Sequence, residues 1–106
     1  MKSPKVNDGL LRQLYNAFLV METEEECHSF FFDLCTIGEV HSLAQRLEVA
    51  RMVQAGFTYQ QIEAATGAST ATISRVKRFL YYGAGGYETV LSRMERSQVE
   101  DKDSRG

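Results

Sequence analysis

The chain has no tryptophan, one proline and two cysteines, and no apolar run approaches the roughly 20 residues that span a bilayer. Each scarcity removes a class of protein. The proline is Pro4, so residues 6–94 hold no proline to break a helix. Cys27 and Cys35 are too few for the disulfide framework of a small secreted domain. Together with His28 and His41 they fit no paired-ligand spacing, so free, half-buried thiols and no metal centre are expected. The N-terminus lacks the basic-then-apolar layout of a signal peptide, which predicts a cytoplasmic chain with no membrane partner. There is no glycine-rich phosphate loop, and neither histidine has a nucleophile beside it in the sequence. Glu24, Glu25 and Glu26 read as helix-start charges that complement the dipole. An enzyme and a bound cofactor are therefore not expected.

Positive charge is also missing where it would be informative. No Lys or Arg falls between Arg12 and Arg46, while Glu22, Glu24, Glu25, Glu26, Asp33 and Glu39 do. Between Glu63 and Glu88 the pattern reverses: no acid, but Arg75, Lys77 and Arg78 in a cluster. The formal net charge of −2 hides this segregation. Distribution, more than the sum, decides whether a phosphate backbone can approach.

Apolar residues recur at helical spacing with little β-type alternation, which predicts an all-α fold. Thr23 with Glu26, Thr36 with Glu39, and Thr58 with Gln61 have the spacing of capping boxes, and Ser69 is a plain N-cap. Gly56, Gly67 and Gly83 mark stops suited to a left-handed residue. Six helices follow, over residues 6–21, 24–33, 37–55, 59–66, 70–82 and 87–96. Residues 1–96 are expected to form one domain. Residues 97–106 are polar and charged and are expected to be a disordered tail.

The first two helices carry more apolar surface than a chain of 106 residues can enclose. Leu10, Leu14, Ala17, Phe18 and Met21 make one stripe, Leu11, Tyr15 and Leu19 a second, and Phe30, Phe31 and Phe32 follow in succession. Each such ring left in water forgoes about 1.5–3 kcal/mol of burial. An interlocked homodimer is the economical solution; a monomer with an aromatic-rich core is the alternative.

Residues 58–82 read as a helix-turn-helix. Ile62 and Ala65 are expected on the inner face of its first helix, with Gly67 reversing the chain. Ile73, Val76 and Leu80 fall at i, i+3 and i+7 and anchor the second helix. Its opposite face then presents Thr70, Ala71, Ser74 and Arg78, with Arg75 beside them. Small side chains at the helix start let a backbone enter a major groove, hydroxyls can reach base edges, and free amides favour a phosphate. Ser69 sits at that start. Gln60 on the preceding helix could meet a base or a phosphate. Arg75, Lys77 and Arg78 supply sequence-independent attraction. Double-stranded DNA is the expected partner.

The run from Leu34 to Arg46 (LCTIGEVHSLAQR), with TGASTATISR ending at Arg75, resembles the tryptophan repressor superfamily. The continuation YGAGGY ending at Tyr87 is similar to its YerC/YecD branch. The resemblance covers about residues 10–91. It implies a six-helix intertwined dimer that binds a palindromic operator with half-sites about one helical turn apart. It places base reading on Thr70, Ala71 and Ser74, with Gln60 from the preceding helix, and a phosphate-contacting hydroxyl on Thr72.

It also implies an effector pocket at Thr36, Arg46 and Arg75. There the family's glycine and serine are replaced by Val76 and Phe79. These larger residues would fill the ligand's volume and remove a hydroxyl. Tryptophan is then not expected as effector, and the pocket is either plugged or rebuilt for an unknown small molecule. Alternatively, Arg46 and Arg75 are surface arginines paired with Glu39 or Glu48. The sequence thus predicts a transcriptional regulator, a repressor by resemblance. A helix-turn-helix that docks on another protein is the competing reading.

Overall fold

The computed structural model describes the chain over residues 7–105, with side chains over 7–99. The N-terminal arm with Pro4, the expected helix start at Val6, and Gly106 lie outside them. The described residues form six helices and no strand: α1 Asp8–Leu19, α2 Glu24–Leu34, α3 Ile37–Gln54, α4 Tyr59–Thr66, α5 Thr70–Tyr82 and α6 Gly86–Arg105. They divide into two compact units, the first ending at Val40 and the second beginning at His41, so the boundary falls inside α3.

Local hydrogen bonds account for most helix starts. Asn7 caps α1, its Oδ1 accepting from the amides of Gly9 at 2.8 Å and Leu10 at 3.2 Å. Thr36 and Glu39 form both arms of a box at the head of α3, at 3.1 and 2.8 Å. The Thr36 backbone amide, and then its hydroxyl, hold the Glu39 carboxyl below the usual glutamate range. Thr58 and Gln61 form both arms of a box at the head of α4, at 3.2 and 2.9 Å. At α2 only one arm follows the expected pattern: Thr23 accepts from the Glu26 amide, while the Glu26 carboxylate takes the amide of Glu22 instead.

In the first unit α1 meets α2 through aromatic rings. Phe18 lies 6.0 Å from Phe30, edge to face, and 5.7 Å from Phe31. Phe32 turns away, against His28 at 4.5 Å. No residue of α1 or α2 is fully buried. Cys27 and Cys35 are free and half-buried.

The second unit holds the core. Val49, Ala50 and Met52 of α3, Ile62 of α4, Ala68 of the turn, Ile73, Val76 and Leu80 of α5, and Leu91 of α6 form one buried cluster. Tyr59, Leu47, Val53 and Tyr87 pack against its edge. Ala65, expected on the inner face, is exposed. The residue that turns inward beside Ile62 is the half-buried Thr66. Its hydroxyl donates to the Ile62 carbonyl at 2.7 Å and accepts from the Ala68 amide at 3.1 Å.

Two further expectations are corrected. Gly56 and Gly67 are left-handed as expected, but Gly83 is extended, with φ −90°, and Gly85 takes the positive φ. Gly83 is needed for another reason. A Cβ there would lie 2.3 Å from the Phe79 carbonyl oxygen, on a backbone that cannot swing aside. Gly83→Ala is therefore expected to lower stability by about 1–3 kcal/mol, read as a reduced urea midpoint. The second correction concerns the end of the chain. α6 runs on to Arg105, through residues for which the sequence predicts a disordered tail. No glycine or proline interrupts residues 87–105, and Glu, Lys, Arg and Gln are good helix formers.

Candidate nucleic-acid interface

The helix-turn-helix is built within the second unit. Thr58 starts α4 and Gly67 ends it at φ 73°, its amide bonded to the Glu63 carbonyl. A Cβ is disfavoured at that angle by about 1–2 kcal/mol. Gln45 of α3 fixes the turn from outside, its Nε2 donating to the Thr66 carbonyl at 3.0 Å. Ala68 is buried, leaving Ser69 to start α5 with its hydroxyl accepting from the Thr72 amide.

Burial then sorts the faces of α5. Ile73 is 0% exposed, Val76 2% and Leu80 7%. Thr70, Ala71, Ser74, Arg75, Lys77 and Arg78 are exposed, as are Ser69 and Gln60, and Thr72 is half-buried. With α5 aliphatic on one side and small, polar and basic on the other, a partner can reach its first two turns without unfolding anything.

Several of these side chains are held from α4. The Thr70 hydroxyl donates to Glu63 Oε1. Ser74 Oγ meets the Tyr59 hydroxyl at 3.4 Å, and the Lys77 ammonium lies over the Tyr59 ring at 5.8 Å. Ser69 Oγ donates to Thr72 Oγ1 at 3.1 Å. Neither Tyr59 nor Glu63 emerged from sequence reasoning. Both contacts cross the turn, so no single-helix periodicity reveals them. The one signal was Glu63 itself, the last acid before a stretch without any.

Of the expected effector residues, four fall in the second unit. Arg46, Arg75, Val76 and Phe79 line one open concavity of about 270 Å³, with Thr72 and Tyr87. The Arg75 guanidinium stands over the Phe79 ring at 5.8 Å. Thr36 belongs to the first unit, where its hydroxyl is used in capping α3. Glu39 is engaged with the Thr36 amide. Glu48 is engaged with Arg51, through Nε at 2.6 Å and Nη2 at 2.9 Å. That hydrogen bond holds the Glu48 carboxyl below its usual range. Glu48, offered as a partner for Arg46 and Arg75, is thus paired with Arg51. Among the described residues, no cluster of three or more His, Cys, Asp or Glu is placed to hold a metal ion. No described helix is long and apolar enough to cross a membrane.

An all-α chain with a short helix pair, a glycine turn and an outward polar-basic helix is a helix-turn-helix protein of the Trp-repressor fold. The family model for the Trp repressor protein matches residues 10–95, and the chain belongs to that family. It is 55% identical over 100 residues to YerC of Bacillus subtilis (strain 168), itself described as uncharacterized; the match covers 94% of this chain and 96% of YerC. A crystal structure from Staphylococcus aureus, named as a candidate Trp repressor, superposes with a TM-score of 0.84. It is 50% identical, over 90% of this chain and 95% of that one. A TrpR-like protein from Eubacterium eligens ATCC 27750 gives 0.84 at 46% identity, covering 88% and 96%.

Proposed function

We propose that the chain is a sequence-specific DNA-binding transcriptional regulator, a repressor, acting as a cytoplasmic homodimer through the helix-turn-helix at residues 58–82. One observation carries the reading: α5 buries Ile73, Val76 and Leu80 while Thr70, Ala71 and Ser74 stay exposed on its other side. Membership of a repressor family supports it. Thr70, Ala71 and Ser74 read base edges, assisted by Gln60. Ser69, Thr72, Arg75, Lys77 and Arg78 hold the phosphates. The homodimer is supported by apolar side chains that the chain leaves in water, among them Leu10 at 64%, Leu19 at 80% and Ile37 at 76% exposure. A second copy that covered them would recover about 1.5–3 kcal/mol for each side chain fully buried.

Selection of duplexes from a random pool tests the whole reading. A two-fold symmetric site is expected, with half-sites about one helical turn apart. Affinity is expected to fall steeply with added salt, and Lys77→Ala is expected to flatten the log–log slope by about 0.9. Salt-insensitive behaviour with no retarded duplex would move the helix pair to a protein-docking role.

Tryptophan is not the effector in this reading. Val76 and Phe79 form part of the wall of the concavity beside Arg46 and Arg75, where the resemblance implies a smaller glycine and a hydroxyl-bearing serine. DNA binding is then either constitutive or controlled by another small molecule. Calorimetry with tryptophan is expected to give no heat of binding; stoichiometric micromolar binding would overturn this.

A further inference from the structure

The hydroxyls at the head of α5 are not equivalent. A threonine hydroxyl has one proton to donate and two lone pairs to accept with. At Thr70 the proton is directed to Glu63 Oε1, seven residues back on α4. What remains for a ligand is a lone pair. At Thr72 the arrangement is opposite: Oγ1 accepts from Ser69 and keeps its own proton to donate. At Ser74, 3.4 Å from the Tyr59 hydroxyl, either oxygen can donate, so no direction is set.

We propose that Glu63 is a specificity-determining residue. By taking the Thr70 proton it turns that position into a hydrogen-bond acceptor, so the base edge read there carries an amino group, adenine N6 or cytosine N4. The proposal rests on the DNA-binding reading above. In the major groove, adenine and cytosine present a donor where guanine O6 and thymine O4 present acceptors. An acceptor facing an acceptor is left unpaired, and burying it on binding is unfavourable. The same polarity excludes Thr70 from a phosphate oxygen and leaves that contact to Thr72. Glu63 need not touch the base. It acts through the hydroxyl it holds, and as a half-buried side chain at the edge of α4 it is well placed to hold it.

Selection from a random duplex pool with the wild-type chain, Glu63→Leu and Thr70→Val tests this. The wild type is expected to enrich amino-bearing bases at one position of each half-site by about fivefold over keto bases, the effect of one net hydrogen bond. A leucine side chain offers no acceptor and leaves the Thr70 proton free toward the DNA. Glu63→Leu is therefore expected to lose that preference at that position alone, with the rest of the motif unchanged. Thr70→Val is expected to alter the same position, and the double variant to match Thr70→Val. A motif unchanged by Glu63→Leu, or changes at different positions for the two single variants, overturns the proposal while leaving DNA binding intact. Absence of any enriched duplex with the wild type overturns both.

Discussion

Ala71→Glu is expected to weaken binding to any duplex by about 100-fold while leaving the fold untouched. Ala71 is the second residue of α5 and is exposed. In the proposed binding mode it is among the side chains nearest the groove floor. A carboxylate there meets flanking phosphates in a partly dehydrated interface, and like charges so placed cost several kcal/mol. About 3 kcal/mol is a factor of roughly 100 in affinity. The same substitution suits the isolated protein, because a negative charge in the first turn of a helix is favourable to the dipole. An unfolding midpoint at or slightly above that of the wild type, with retardation lost, is the expected pair of results. Unchanged affinity would mean that the start of α5 lies outside the groove.

Ile73→Ala is expected to cost about 2–5 kcal/mol of stability, measured as a lower urea midpoint with an unchanged slope. Ile73 is completely buried, and Ile62 and Val49 are the other large side chains so enclosed. The cluster they belong to has nine members drawn from α3, α4, the turn, α5 and α6. Truncating Ile73 therefore leaves a hole at the point where α5 is fixed to the body. Small domains have only about 5–15 kcal/mol in total, so this is a large fraction of the margin. DNA affinity corrected for the folded fraction is expected to change little, since the side chain faces away from the reading surface. A loss below about 1 kcal/mol would show that this core does not hold α5 in place.

Features set by neighbours in sequence were readable; features set across space were not. The boxes at Thr36 and Thr58 are three-residue devices, and both appear with both arms in place. The periodicity of Ile73, Val76 and Leu80 gave the buried side of α5 directly. Ala65 was misplaced because a four-residue stripe on an eight-residue helix leaves its inner edge uncertain by one position. Thr66 takes the inward place because its hydroxyl can bond the backbone at the turn. Gly83 was noticed as a helix stop, but for the wrong cause. A carbonyl four residues earlier, not the sign of φ, forbids a side chain there. The helix past Arg96 was missed because composition alone favours disorder, while local propensity favours continuing an existing helix. Glu63 and Tyr59 became visible only when the turn brought α4 alongside α5.

Among the described residues, all nine enclosed side chains lie at or beyond Val49. α1 and α2 bury no side chain completely within their own chain. In the proposed homodimer a second copy covers them, while the cluster from Val49 onward is closed within one copy. Encounters between copies grow with the square of their number. Such a regulator would be almost silent when scarce and would switch on abruptly as its own supply rises.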